Sequence, residues 1–169
     1  MRAIILTADG VEDSELFYPN YRLLEEGWQV DIAAPAAGSV KGKVGLSLKA
    51  NKAIEDVDAG QYDLLVLPGG KGPETVRLIP NALEVTRKML EAGKVVMAIC
   101  HGPQVLISAK VLKGRKATCY KGVKDDLIQA GAEFSDKEVV VDGNLVTSRT
   151  PEDLPAFCRE GLALARKAK

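Results

Sequence analysis

Cys100 and His101 stand side by side, and His101 is the only histidine in the chain. A thiol next to an imidazole is the smallest set for nucleophilic catalysis, in which the base takes the proton and sulfur attacks an electrophilic carbon. The flanking residues suit that chemistry. Val95-Val96-Met97-Ala98-Ile99 reads as a strand buried on both faces, and Gly102-Pro103 opens a helix with Pro103 in its first turn. Cys100 therefore occupies a strand–elbow–helix turn, with Ala98 and Gly102 two residues away on either side. Small side chains are needed there, because the chain reverses so tightly that larger ones would collide. Helix amides aimed at the sulfur favour its thiolate, and the His101 amide can hold an oxyanion. An isolated cysteine would read as a small core residue; the elbow and the adjacent imidazole make Cys100 the candidate nucleophile. Cys119 and Cys158 have no such setting and read as core packing.

The elements that must position this turn alternate along the chain. Short apolar runs at Ala3–Thr7, Val30–Ala34, Asp63–Leu67 and Lys94–Ile99 have the pattern of buried parallel strands. Lys41–Lys49 alternates like one half-exposed strand, and Glu138–Val141 with Leu145–Ser148 reads as a hairpin around Asp142-Gly143-Asn144. Helical patterns lie between them at Asp13–Glu26, Pro73–Leu78, Asn81–Glu91, Gly102–Lys110 and Asp125–Ala130, with Pro19 bending the first. Thr150-Pro151 opens a last helix, whose end, Arg166-Lys167-Ala168-Lys169, complements its dipole. The alternation predicts one domain over residues 1–169: a flavodoxin-like α/β/α sandwich with a mostly parallel sheet and a small antiparallel hairpin insert. Ligands of such sheets bind at the carboxyl ends of the strands, which directs attention to the loops starting at Asp9, Pro68 and Cys100.

Composition narrows the function. The 169 residues carry 23 Lys plus Arg against 23 Asp plus Glu, a formal charge of zero, which argues against a dedicated nucleic-acid binder. One histidine and three dispersed cysteines make no zinc finger, and the glycine fingerprint of a dinucleotide site is missing. Gly69-Gly70-Lys71-Gly72 lacks the span of a phosphate loop. No apolar run approaches the ~20 residues of a membrane span. The first strand is followed at once by Asp9, Glu12 and Asp13 rather than by a cleavage site, so free thiols in a reducing cytoplasm are expected.

Ala98-Ile99-Cys100-His101-Gly102-Pro103 resembles the nucleophile motif of the ThiJ/PfpI superfamily, closest to its archaeal intracellular-protease and deglycase branch. Thr7–Asp13, Leu67–Gly70, Tyr120–Asp126 and Ser148–Leu154 resemble further family segments in the expected order, so the likeness spans the chain. It implies that Glu12 contacts the Cys100 thiol, where a carboxyl beside a sulfur anion would have a raised pKa and donate a hydrogen bond. On its own, Glu12 reads rather as an acid at a helix start. The resemblance implies that the Gly70 amide completes the oxyanion site with that of His101, although the glycine pair could simply serve a tight turn. It also implies that Tyr120 lines the pocket and that Glu74 of a neighbouring subunit orients His101, in a homo-oligomer such as a dimer or hexamer. Glu74 alone would be an ordinary acid after Pro73. No cofactor and no metal are implied. The activities implied are those of a hydrolase with small carbonyl substrates: glyoxalase or deglycase action on methylglyoxal, glyoxal or their protein and nucleotide adducts. Intracellular peptidase is the alternative, and a redox-sensing or chaperone-like stress protein without turnover is a second. Adduct reversal demands the least, since no amine has to be driven from a peptide bond. A glutamine amidotransferase shares the elbow but needs a distant histidine, which this chain lacks.

Overall fold

The computed structural model describes residues 1–167. Strand β1 (Arg2–Leu6) leads through helix α1 (Asp13–Glu25) to β2 (Gln29–Ala34), β3 (Gly38–Lys41), β4 (Ser47–Ala50) and β5 (Lys52–Ala53). Two 3-10 turns precede β6 (Leu64–Leu67), α2 (Gly72–Val76), α3 (Pro80–Glu91), β7 (Val95–Ile99) and α4 (Pro103–Ala109). The remainder holds β8 (Lys116–Ala117), α5 (Lys124–Gln129), β9 (Glu133–Phe134), β10 (Val139–Asp142), β11 (Leu145–Ser148) and α6 (Leu154–Lys167). Of the charged C-terminal run, Ala168 and Lys169 lie outside the described residues.

Seven strands form the main sheet in the order β10-β11-β7-β6-β1-β2-β5, all parallel except β10, which runs antiparallel to β11. The central strands are apolar throughout because both faces are covered. Ile4, Leu6, Leu65, Leu67, Val96 and Ala98 enter one core with Val85, Met89 and Leu106 of α3 and α4. Their alternates, including Ile5, Val66 and Met97, enter a second core with Leu16, Leu23, Phe157 and Leu162 of α1 and α6. Each fully buried side chain of this kind stabilises the fold by roughly 1.5–3 kcal/mol. The architecture is thus the expected flavodoxin-like sandwich. The hairpin expected as an insert forms one edge of the main sheet, since β11 pairs with β7.

One local expectation is corrected. Residues 41–49 are not one strand: β3 and β4 form a separate antiparallel hairpin, with Lys41 opposite Ser47. The alternation of Val44, Leu46 and Leu48 concealed the turn marked by Gly42 and Gly45, the latter at φ +101°. Helix α1 passes through Pro19 without interruption, losing only the bond that a residue-19 N–H would have given to the Glu15 carbonyl.

The hairpin turn is tied to the first helix by a buried carboxylate. Asp13 accepts the N–H groups of Val44 and Leu46, each at 2.9 Å. A Cβ on Gly42 would lie 2.1 Å from Asp13 Oδ1, so only glycine lets the turn close on that carboxylate. Lys43 N–H in turn bonds the Val11 carbonyl at 2.8 Å, which fixes the turn against the loop after β1. Removing a charged acceptor strands its donors, so Asp13→Ala should cost about 2–4 kcal/mol in urea denaturation. Protease cutting within residues 42–46 should rise in parallel, while the core transition stays cooperative.

Candidate active site

Cys100 follows β7 with φ +60°, in the left-handed region that side chains other than glycine seldom adopt. Backbone hydrogen bonds clamp it there. Its N–H donates to the Ser148 carbonyl at 3.1 Å, and its carbonyl accepts from the Tyr120 N–H at 3.0 Å. The Gly102 N–H closes the turn on the Ile99 carbonyl at 2.7 Å. A Cβ on Gly102 would stand 2.1 Å from the Leu67 carbonyl oxygen, which is why the position after the next must be glycine. The elbow read from the sequence is present.

Beside it, Gly69 and Gly70 follow β6. A Cβ on Gly69 would meet Cys100 Cβ at 2.7 Å, and one on Gly70, which has φ +72°, would lie 2.3 Å from the Glu12 nitrogen. Glycine here permits contact between three backbone segments. The Gly70 and His101 amides both act on the Cys100 sulfur to lower its pKa, the convergence that an oxyanion site requires.

The carboxyl at the thiol belongs to Glu15, not to Glu12. Glu15 is fully buried; its Oε2 accepts the Gly69 N–H at 2.7 Å, and the carboxyl packs beside Cys100, both standing within 2.7 Å of where a Gly69 Cβ would lie. Glu12 instead faces outward and pairs with Lys43 at 3.3 Å. Helix geometry separates the two: Glu12 precedes α1, whereas Glu15 lies within it on the stripe of Leu16, Pro19 and Leu23 that faces the sheet. A carboxyl on an apolar stripe was the available signal.

Burial pushes Glu15 up to about 7, against the opposing pull of the Gly69 amide and the thiol. Burial, then the Glu15 charge, pushes the Cys100 thiol up to about 12, while the Gly70 and His101 amides work to lower it. Helix amides alone would depress the thiol pKa, and desolvation with the buried acid reverses that expectation. The pair keeps at least one proton at neutral pH, because two adjacent buried anions repel. With that proton on Glu15, whose buried Oε1 has no hydrogen-bond partner, the acid is free to donate to a thiolate that the two amides favour.

His101 completes the group, its Nδ1 3.2 Å from Cys100 Sγ. Its ring stacks on Tyr120 with centroids 4.8 Å apart and planes at 28°. Burial lowers its pKa, Glu74 opposes and Lys43 reinforces the shift, so the ring is a neutral acceptor at pH 7. Glu74 is exposed in the first turn of α2, and its charge reaches His101 from within the same chain. Lys43, absent from the sequence reading, also acts on the charges of Cys100 and Glu15. Nothing in the pattern around Lys43 marked it, because the hairpin that carries it was read as one strand.

A family model described as the DJ-1/PfpI family matches residues 1–164. The deglycase PfpI of Pyrococcus furiosus is 52% identical over 166 residues, 98% of this chain and 100% of that protein. The protein/nucleic acid deglycase 2 of Escherichia coli is 48% identical over 163 residues, 95% of each chain. Among solved structures, a two-domain Anabaena variabilis protein with DJ-1/ThiJ/PfpI-like and ferritin-like domains superposes with a TM-score of 0.94 at 38% identity. That match covers 96% of this chain and 47% of the Anabaena chain.

A carboxyl raised from 4.5 to about 7 by folding favours the folded state fully below pH 4.5, and that contribution is lost as pH rises through 7. Glu15→Gln should remove this dependence. Relative to the parent, the variant should gain about 3 kcal/mol of stability between pH 4.5 and pH 8, measured by denaturant unfolding of the reduced protein.

Proposed function

The chain belongs to the DJ-1/PfpI family, and we propose that it is a cysteine-dependent deglycase and glyoxalase acting on methylglyoxal, glyoxal and their adducts. The observation that carries this reading is the contact of Cys100 Sγ with a neutral imidazole nitrogen at 3.2 Å, backed by a buried acid that titrates near neutrality. Such a site can pass protons at pH 7 in both directions.

For methylglyoxal, the proton shared by the pair starts on sulfur with Glu15 ionised, and Sγ adds to the aldehyde carbon while the thiol proton passes to His101 Nδ1. The new oxyanion lies against the Gly70 and His101 amides and is protonated to a hemithioacetal. Glu15 then removes the proton from that carbon, and the electrons move to the neighbouring carbonyl, giving an enediol. Protonation of the second carbon and loss of the hydroxyl proton from the first leave a lactoyl thioester. Water hydrolyses it to lactate and restores the thiol, so the internal redox change balances without a cofactor. For an adduct on an amine or thiol, the same groups take the carbinol hydroxyl proton and break the C–N or C–S bond. The carbonyl re-forms, the amine or thiol is returned with its proton, and the dicarbonyl is left to add to Cys100 in the same way.

Self-association belongs to the same reading, with Glu74 of a second copy turning the His101 ring. Its support is the exposure of Glu74 on a rim shared with Leu78, an apolar side chain that is 79% exposed.

Methylglyoxal consumption and release of dicarbonyl from its N-acetylcysteine hemithioacetal should fall at least about a thousandfold in Cys100→Ala. Activity that survives the substitution would remove Cys100 from the mechanism. Hydrolysis of casein by the parent without dicarbonyl turnover would replace the reading with a peptidase. Absence of both, with reversible oxidation of Cys100, would replace it with a sensor.

A further inference from the structure

Tyr120 separates the catalytic pair from a second space. One side of the residue is engaged by the His101 ring, at 4.8 Å, and its backbone N–H is bonded to the Cys100 carbonyl. It also lines a cavity of about 610 Å³ with Lys121, Lys124, Phe134, Asp136 and Arg149. That volume suits a small-molecule ligand rather than a single dicarbonyl.

The charge of this cavity differs from that of the molecule, which is neutral overall. Three cations line it against one acid. Arg149 is held rigidly: its Nε and Nη2 donate to the buried Asp153 at 2.9 and 3.1 Å, and its Nη1 donates to Asp136 at 2.7 Å. Its positive charge is matched by those two carboxylates, while unused N–H donors remain on the fixed fork. Lys121 and Lys124 have no ion-pair partner among the described residues, and the Lys124 ammonium lies over the Phe134 ring, 5.2 Å from its centroid. Of the two acids on α5, Asp125 directly follows Lys124 outside the cavity lining, and Asp126 lines a separate hollow with Arg77 while its charge reaches Cys119 on the cavity wall. Two unmatched ammonium groups and an oriented guanidinium around an aromatic wall form a receptor for an oxyanion carried on a flat or apolar body.

We propose that this cavity is a recognition subsite for the carboxylate or phosphate of the molecule that bears the adduct, while the adducted carbon sits at Cys100. The inference rests on the deglycase reading and names its substrate class: adducts on anionic small molecules, handled in preference to free dicarbonyls or neutral carriers. Tyr120, shared by both spaces, sets the register between the anchored group and the reacting carbon.

The test compares methylglyoxal adducts of N-acetylcysteine and guanosine monophosphate with those of the neutral N-acetylcysteamine and guanosine. Lys121→Gln, Lys124→Gln and the double variant are compared with the parent. The parent should prefer the anionic member of at least one pair, and the pair that shows it identifies the oxyanion as carboxylate or phosphate. In the double variant that preference should fall about tenfold through KM, with kcat and the neutral substrates unchanged; 0.5 M salt should weaken it in the parent. Equal kcat/KM for anionic and neutral carriers in the parent, or a preference that survives both substitutions, would overturn the subsite. Calorimetric titration with unmodified N-acetylcysteine and guanosine monophosphate separates the two claims. Binding of either ligand that is lost in the double variant supports the subsite even if no adduct is processed, an outcome that would overturn the deglycase reading alone. No binding of either ligand by the parent overturns the subsite whatever the turnover.

Discussion

The site depends on one backbone conformation, the left-handed turn at Cys100. Such a conformation costs on the order of 1–2 kcal/mol in a residue with a Cβ. It is maintained by hydrogen bonds from two different segments, β11 through Ser148 and the loop at Tyr120. The same bonds arrange the chemistry. With the Cys100 carbonyl engaged by Tyr120, the next amide, that of His101, turns toward the sulfur. The Tyr120 ring is thereby brought against the imidazole, which holds Nδ1 at the thiol and gives the adjoining cavity its inner wall. Strain, oxyanion amides and base orientation are consequences of a single turn.

Burial then assigns different work to chemically similar carboxyls. Glu12 remains at the surface and is matched by Lys43; Glu74 remains exposed; Glu15 alone is dry. The dry one titrates near neutrality, because desolvation penalises its anion more than one amide and one thiol restore. Lys43 tempers the accumulation of negative charge around the sulfur, and its place is set by Asp13 pinning the hairpin turn. A buried acid that touches nothing catalytic thus positions a cation that does influence the reacting groups.

These layers were not equally legible in the sequence. The elbow was readable because it is local: strand pattern, small residues and Pro103 all lie within nine positions, and the structure explains the glycine by a backbone oxygen that a Cβ would strike. The central strands were readable because burial on both faces makes them uniformly apolar. The identity of the carboxyl at Cys100 was not, since the reading relied on a motif position rather than on the helical stripe, and Glu12, one residue before α1, is not carried on the face that Glu15 shares with Leu16. The β3–β4 hairpin failed for a different reason: its alternation is compatible with one strand or two, and the deciding partner, Asp13, lies about thirty residues away. Non-local pairing of this sort leaves little mark on either segment alone.

The strand order explains why these particular loops meet. From β1 the chain moves outward to β2 on one side, whereas β6 and β7 are added on the other, so the β1–β6 junction is where the winding reverses. At such a reversal the loops leaving adjacent strands diverge to opposite faces and open a crevice at the carboxyl ends. The loop after β1 brings α1 and its buried Glu15, the loop after β6 brings the Gly69 and Gly70 amides, and β7 delivers Cys100 next to both. Each contributes what its backbone can offer: a helix face supplies a buried acid, paired glycines supply exposed amides, and a strained elbow supplies a projecting sulfur. Exchanging these roles would put a side chain where only backbone fits, since a Cβ on Gly69 would stand 2.6 Å from Glu15 Oε2 and 2.7 Å from Cys100 Cβ. Close approach of three loops, rather than any single reactive residue, is therefore what makes the thiol a site.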